Sequence, residues 1–117
     1  MQTQPVPAAR SVIIECVGMI VGLDDALSIV SAGYEMNTNR LLLRDRQLPA
    51  EFFELQTGFA GEFIQKLVNY QIRVACVFDD SRPLGDRVRE YVAEAKRGRQ
   101  FRSFNDEREA IAWLEEQ

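Results

Sequence analysis

The chain has 117 residues, of which 46% are apolar and 27% are charged, and its formal net charge is −4 at pH 7. This length fits one domain with one core. The acidic balance disfavours nucleic acid as a partner, and no apolar run reaches the roughly 18 to 20 residues that a membrane span needs. The first residues lack the basic and apolar regions of a signal peptide. We therefore expect a cytoplasmic protein without a nucleic-acid or membrane partner.

The chain contains no histidine. This absence removes Ser-His-Asp and Cys-His catalytic groups, the usual zinc sites, and the side chain most often used for proton transfer near neutral pH. Cys16 and Cys76 each lie in an apolar, strand-like run, and neither has a second cysteine nearby. They are predicted to be buried free thiols. No catalytic residue, metal site or cofactor is predicted.

The first ten residues contain Pro5 and Pro7 among small and polar side chains. Residues 1–10 are therefore predicted to be a flexible N-terminal arm, or at most an edge strand. Residues 11–17 are rich in β-branched side chains and predict a strand that ends at Gly18.

Asp24 is predicted to cap a helix that runs to about Met36. Its apolar positions, Leu27, Val30, Ala32 or Gly33, and Tyr34, recur roughly three to four residues apart. Residues 37–39, with two asparagines, should end it. Residues 40–44 form a short apolar run between arginines, which is typical of a central strand covered on both faces.

Pro49 is placed to begin a brief helical turn that presents Phe52 and Phe53 inward. From Phe59 onward, apolar residues recur at helical spacing and predict a second long helix to about Tyr70.

Residues 72–78 return to the composition of a strand. Residues 83–98 begin with a proline, end with a glycine and predict a third long helix. Residues 101–104 form a last short strand, and Asn105 or Asp106 should cap the final helix.

Strands that alternate with helices indicate a layered α/β fold. We expect a single α/β domain over residues 11–117. Its β-sheet should be mixed, mostly parallel and made of four to five strands, with about four helices.

The first candidate site is the turn that leads into the second helix. Thr57 can accept an amide hydrogen bond as a cap, while Gly58 and Gly61 let backbone amides approach one another or a ligand, and Glu62 follows them. A helix N-terminus of this kind can hold an anion, and a hydroxyl there can be a phosphorylation switch. The alternative is an ordinary capped turn, because the spacing matches no phosphate-binding motif.

The second candidate is the basic run at residues 96–102. Arg97 is placed to complement the dipole of a helix C-terminus, which needs no ligand. Arg99 and Arg102 are less easily explained in this way and could pair with a phosphate or an acidic partner. Arg97, Arg99 and Arg102 are therefore candidates for anion or partner binding.

The run FFELQTGFAGEFIQK at residues 52–66 is followed by Asn69-Tyr70, by Ile-Arg-Val-Ala at residues 72–75 and by Lys-Arg-Gly-Arg-Gln at residues 96–100. Together these segments resemble the bacterial domain-of-unknown-function family numbered 4180, and the resemblance extends over nearly the whole chain from Ser11. This family implies no established activity.

The layout is also similar to STAS and SpoIIAA-like domains. In these domains a mixed sheet is backed by helices, and a Ser or Thr often lies at the start of the second main helix, a place comparable to that of Thr57. The closing segment, residues 104–114, resembles their last helix. This second resemblance implies the fold more than the function.

Two functions remain open. The first, which the absence of histidine favours, is a non-enzymatic regulatory or protein-interaction module that presents the Thr57–Gly61 loop to a protein partner or a small anion. The alternative is a small-molecule, nucleotide or anion-binding domain, or an enzyme, with its site at the same helix N-terminus. An exposed first strand also leaves a homodimer open.

Overall fold

The computed structural model describes residues 2–78 and 100–116. Within these residues the chain forms five strands and three α-helices. The strands are β1 (Gln2–Val6), β2 (Ile13–Val17), β3 (Arg40–Arg44), β4 (Arg73–Val77) and β5 (Phe101–Phe104). The helices are α1 (Asp24–Met36), α2 (Phe59–Asn69) and α3 (Glu107–Glu115). The helix predicted over residues 83–98 lies outside the described residues.

The five strands form one sheet in the order β1-β2-β3-β4-β5. β1 pairs antiparallel with β2, whereas β2, β3, β4 and β5 are parallel to one another. Parallel neighbours need crossover connections, and α1 and α2 supply those between β2 and β3 and between β3 and β4. The predicted α/β fold with a mixed, mostly parallel sheet is confirmed.

Strand β1 corrects the expectation of a flexible arm for its residues. It pairs with β2 from Gln2 opposite Val17 to Val6 opposite Ile13. Pro5 is tolerated because an edge strand has one side on which no ladder hydrogen bond is required. Val6 is buried and packs with Ile13. The edge strand, which the sequence left as the alternative, is therefore the arrangement found for residues 2–6.

Side chains that alternate along the strands fill two cores, one on each face of the sheet. α1 and α2 cover one face and α3 covers the other. The first core includes Ile14, Cys16, Leu41, Leu43, Val74 and Cys76 from the sheet, and Ile29, Phe63 and Leu67 from the two helices. The second includes Ile13, Leu42 and Ala75 from the sheet, and Ala110, Trp113 and Leu114 from α3. The sheet is thus the middle of three layers, and its accessible parts are its ends and edges.

Helix α1 has its predicted bounds but not its predicted cap. The Asp25 carboxylate, rather than that of Asp24, accepts the amides of Val21 and Gly22 at 2.8 and 3.3 Å. The helix ends at Met36, and the next residue, Asn37, adopts the left-handed conformation that asparagine tolerates well. The buried stripe of α1 is Ala26, Ile29, Val30 and Gly33. The predicted apolar stripe is therefore right at Val30 and Gly33 and wrong at Leu27 and Tyr34, whose side chains are exposed.

Gly33 is required by a close backbone approach at the end of α1. A Cβ atom at this position would lie 2.7 Å from the Thr38 carbonyl oxygen, whereas a Cβ atom on Gly61 would meet nothing within 4 Å. We expect Gly33→Ala to destabilise the protein by about 1–3 kcal/mol, because a backbone atom cannot move aside as a side chain can. Gly61→Ala should be neutral or stabilising by up to about 1 kcal/mol, since alanine favours a helix.

The measurement is urea unfolding of both variants followed by circular dichroism. Equal unfolding midpoints for Gly33→Ala and Gly61→Ala would contradict the expected clash.

Cys16 and Cys76 are buried free thiols, as predicted. Burial, with smaller contributions from Asp25 and Glu15, raises the pKa of the Cys16 thiol to about 12. Burial, followed by the nearby Asp45 carboxylate, also raises the pKa of Cys76. The reactive form of a cysteine is the thiolate, so the fold suppresses it at both positions.

We expect both thiols to react with Ellman's reagent at least roughly a hundredfold more slowly in the folded protein than in guanidinium chloride, because reaction requires opening of the core. The raised folded-state pKa also implies that the free energy of unfolding falls as the pH rises above the unfolded value of 9.0. Rapid labelling of either cysteine in the folded protein at pH 8 would contradict the packing described.

Candidate functional site

Two connections lie at the carboxyl ends of the parallel strands. Residues 18–23 join β2 to α1, and residues 45–58 join β3 to α2. Since α2 ends directly before β4, it runs antiparallel to the strands and begins near their carboxyl ends. The Thr57–Gly61 loop therefore belongs to the end of the sheet at which α/β domains commonly bind their ligands.

The Thr57 hydroxyl holds together the turn that precedes α2. Its Oγ1 atom lies 2.9 Å from the Glu51 carbonyl oxygen and 2.8 Å from that of Glu54, so its one proton can be donated to either. The same oxygen accepts the amide of Phe59 at 3.2 Å. The side chain is exposed, yet its one donor and one of its two acceptor lone pairs are used within the turn. This geometry explains the residue as part of a turn.

The helix N-terminus itself is formed by Gly58, which has φ of 72° and carries no side-chain cap. A positive φ is the conformation that glycine adopts without strain. Glu62 lies in the first turn, and its Oε1 atom is 3.8 Å from the position that a Cβ atom on Gly58 would take. An internal carboxylate thus complements the positive end of α2, where an external anion would have to compete with it.

The second candidate set is only partly described. Arg97 and Arg99 lie outside the described residues. Arg102 is exposed in the middle of β5, with its guanidinium 5.9 Å from the centre of the Phe104 ring. Its strand partner, Ala75, belongs to the core under α3, whereas α2 packs on the opposite face. Arg102 and the Thr57–Gly61 loop therefore lie on different faces of the sheet.

Residues 18–23 read as a short apolar connection in the sequence, but sequence reasoning missed that this apolar loop has exposed side chains. Met19 is 56% exposed and Val21 is 82% exposed, although Ile20 between them is buried. The Ile20 amide donates to the Gln47 carbonyl oxygen at 2.7 Å, so the loop is tied to the neighbouring connection. The available signal was the run Met-Ile-Val beside a strand end.

A second missed residue is Asp45, a carboxylate that is only 6% exposed and lies directly after β3. The signal available in the sequence was the position of this acid directly after the apolar run at residues 40–44. Within residues 2–78 and 100–116, no three His, Cys, Asp or Glu side chains are grouped so that they could hold a metal ion. In the same residues no helix combines the length and the apolar character needed to cross a membrane.

These features define a small three-layered α/β domain in which two connections, one of them apolar, meet at the carboxyl ends of the parallel strands. The model of one protein family, described as Domain of unknown function (DUF4180), matches residues 10–114. The chain belongs to this family. Comparison with curated proteins gave no match, and comparison with solved structures gave none either.

Replacing Thr57 measures how much its hydroxyl contributes to the stability of the fold. We expect Thr57→Val to lower the free energy of unfolding by about 1–2 kcal/mol, because the hydroxyl that joins the Glu51, Glu54 and Phe59 backbone groups is lost. Thr57→Ser keeps the hydroxyl and should stay within about 0.5 kcal/mol of the unchanged protein. Urea unfolding measures both, and a Thr57→Val variant as stable as Thr57→Ser would show that these hydrogen bonds contribute little.

Proposed function

We propose that this protein is a non-enzymatic protein-interaction module that contacts its partner with the carboxyl end of its parallel sheet. The observation that supports the proposal is the apolar loop, in which Met19 and Val21 are exposed on a backbone held in place by hydrogen bonds. Exposed apolar side chains that cluster on an ordered loop are typical of a binding surface.

The order of the loop is the basis of this proposal. Three consecutive amides, those of Ile20, Val21 and Gly22, are bonded to Gln47 or Asp25. The Gln47 side chain in turn donates to the Cys16 carbonyl oxygen at 2.6 Å. A surface that is ordered before binding loses less conformational entropy when a partner covers it. The loop would therefore bind with little rearrangement.

The Thr57–Gly61 loop belongs to the same end of the sheet and supplies the proposed regulation. A phosphate on Thr57 would remove the hydroxyl donor shared by the Glu51 and Glu54 carbonyls and place negative charge beside their oxygens. The turn at residues 50–57 would then have to rearrange next to the contact surface. Binding of a small anion or nucleotide at this helix N-terminus has less support, because Glu62 already supplies a carboxylate there.

The proposed location is the cytoplasm, where the two free thiols would stay reduced. A second copy of the chain is one partner that the same surface could take.

Photo-cross-linking tests the contact surface. A photoreactive residue such as benzoylphenylalanine replaces Met19 in one variant and Met36 in the other, and both are expressed in the native host. Met36 is the matched control, because it is also an exposed methionine but lies at the other end of α1. We expect one discrete adduct from position 19 and at least roughly tenfold less from position 36, since the reagent captures what lies against it.

The mass of the adduct identifies the partner, and twice the mass of the chain would indicate a homodimer. The proposal is wrong if neither position yields an adduct, or if both yield the same adducts in equal amounts. Adding Thr57→Glu to the position-19 variant tests the regulation, for which an unchanged yield would be the contrary result.

A further inference from the structure

A cavity opens beside the apolar loop, at the carboxyl ends of β2 and β3. It has a volume of about 360 Å³, and its described lining comes from the ends of these two strands, from β1 and from the residues that follow β2 and β3. Glu15 lies opposite Gln4 and Leu42 in the strand register, so these three side chains share one face of the sheet. The volume lies in the lower part of the range for small-molecule sites.

Glu15 forms an acidic side of this cavity. Its Oε1 atom accepts from the Gln4 side-chain amide at 2.5 Å, and its Oε2 atom lies 3.2 Å from the Arg44 Nη2 atom. The same guanidinium is also paired with Glu107, so two carboxylates share one cation and one negative charge is left over in this group of three. A carboxylate oxygen can accept more than one hydrogen bond, so Glu15 keeps capacity for a cationic donor.

Arg46 supplies the opposite charge to the same cavity. Both ion pairs in the described part of the chain belong to Arg44, so no carboxylate there is paired with Arg46. Its neighbour Asp45 is only 6% exposed and does not line the cavity. The apolar lining comes from Val17 and Met19, which are 44% and 56% exposed. The cavity therefore combines a negative group, a positive group and an apolar wall.

We propose that this cavity binds a free α-amino acid with an apolar side chain. The ammonium group of the ligand pairs with Glu15, its carboxylate pairs with Arg46, and its side chain packs on Val17 and Met19. A guanidinium presents two donors in a fork that matches a carboxylate, and an ammonium group donates to carboxylate oxygens. Each charge of the ligand thus meets a group of opposite sign. The inference goes beyond the proposed protein contact and does not rest on it, although both use Met19.

Titration of the ¹⁵N-labelled full-length protein at pH 7, followed by backbone amide chemical shifts, tests the site. The probes are L-leucine, N-acetyl-L-leucine, L-leucinamide and glycine, of which the last three lack the ammonium group, the carboxylate and the apolar side chain in turn. We expect L-leucine to shift the amides of Gly18, Met19 and Arg46. It should bind at least roughly tenfold more tightly than each other probe, because each of those loses one of the three contacts.

A second cavity provides a control within the same spectra. It has a volume of about 290 Å³ and lies beside Tyr34 and Tyr70, at the amino ends of the parallel strands. None of the described residues that line it is acidic, so they offer no partner for the ammonium group. The amides of Gly33 and Tyr70 should therefore stay unshifted when L-leucine is added.

Variants then separate the two charged contacts. Arg46→Gln should weaken binding of L-leucine at least roughly tenfold but leave binding of L-leucinamide unchanged, since that probe has no carboxylate. Arg10→Gln is the matched control and should bind L-leucine normally, because Arg10 is also exposed but precedes β2 at the opposite end of the sheet. Glu15→Gln should weaken binding of L-leucine but not of N-acetyl-L-leucine. If Glu15→Gln does not fold, these two probes provide the same comparison on the unchanged protein.

Three results would overturn the proposal. The first is that L-leucine shifts none of the three cavity amides at millimolar concentration. The second is that L-leucine binds no more tightly than N-acetyl-L-leucine or L-leucinamide. The third is that the Arg46→Gln and Arg10→Gln variants bind L-leucine equally well.

Discussion

Strand β3 is the part of the structure on which both layers of helices depend. Leu41 and Leu43 point to the face covered by α1 and α2, and Leu42 points to the face covered by α3. All three side chains are almost completely buried, and each such burial stabilises the fold by about 1.5–3 kcal/mol. A substitution here is felt on both sides of the sheet, because the central strand has no solvent-exposed face.

The two arginines that bound β3 share the face of Leu42 and hold α3 at its two ends. Arg40 donates to the Leu114 carbonyl oxygen in the last turn of α3, and Arg44 is paired with Glu107 at its first residue. The Arg44 Nη2 atom also lies 3.2 Å from the Glu15 Oε2 atom on β2, which forms a second ion pair. A strand of five residues and a helix of nine have nearly the same length, about 13 Å, so one strand can reach both ends of one helix. A cation at the helix C-terminus and an acid at its N-terminus also complement its dipole.

The burial of β3 on both faces explains why this strand could be predicted from the sequence. An apolar run between two arginines predicted β3 with its observed bounds, because burial on both faces leaves a continuous apolar signal. β1 was harder to predict, since an edge strand with one buried side chain, Val6, has almost no apolar pattern and tolerates Pro5. In α1 the helical period was visible, but the period alone does not fix which face is buried. Tyr34 fits the apolar spacing in the sequence but lies in solvent, whereas its neighbour Gly33 is buried against the Thr38 carbonyl.

In the candidate sites, too, features that depend on neighbouring residues could be predicted from the sequence, whereas features that depend on packing could not. The turn into α2 is local, so Thr57 and Gly58 could be placed from the sequence. The partners of the Thr57 hydroxyl, the carbonyls of Glu51 and Glu54, depend on a turn geometry that side-chain types do not reveal. The cavity beside Tyr34 and Tyr70 brings together residues from α1, β3 and the end of α2, and only the packing of the two helices creates it. No sequence period could have indicated it.

Helix α1 connects the apolar loop to the cavity beside Tyr34 and Tyr70. The apolar loop leads into its first turn, and Tyr34 lies in its last turn, about 15 Å further along the helix axis. Its first turn is bonded to the loop through Asp25, and its last turn is closed by the Thr38 amide, which donates to the Gly33 carbonyl oxygen at 2.9 Å. Between them, Ala26 and Ile29 are locked in the core. A ligand at one end would affect the other only by moving α1 as a rigid unit against the sheet, since coupling needs an element with two arrangements. The buried contacts of α1 oppose such a movement, so we expect the two surfaces to bind independently.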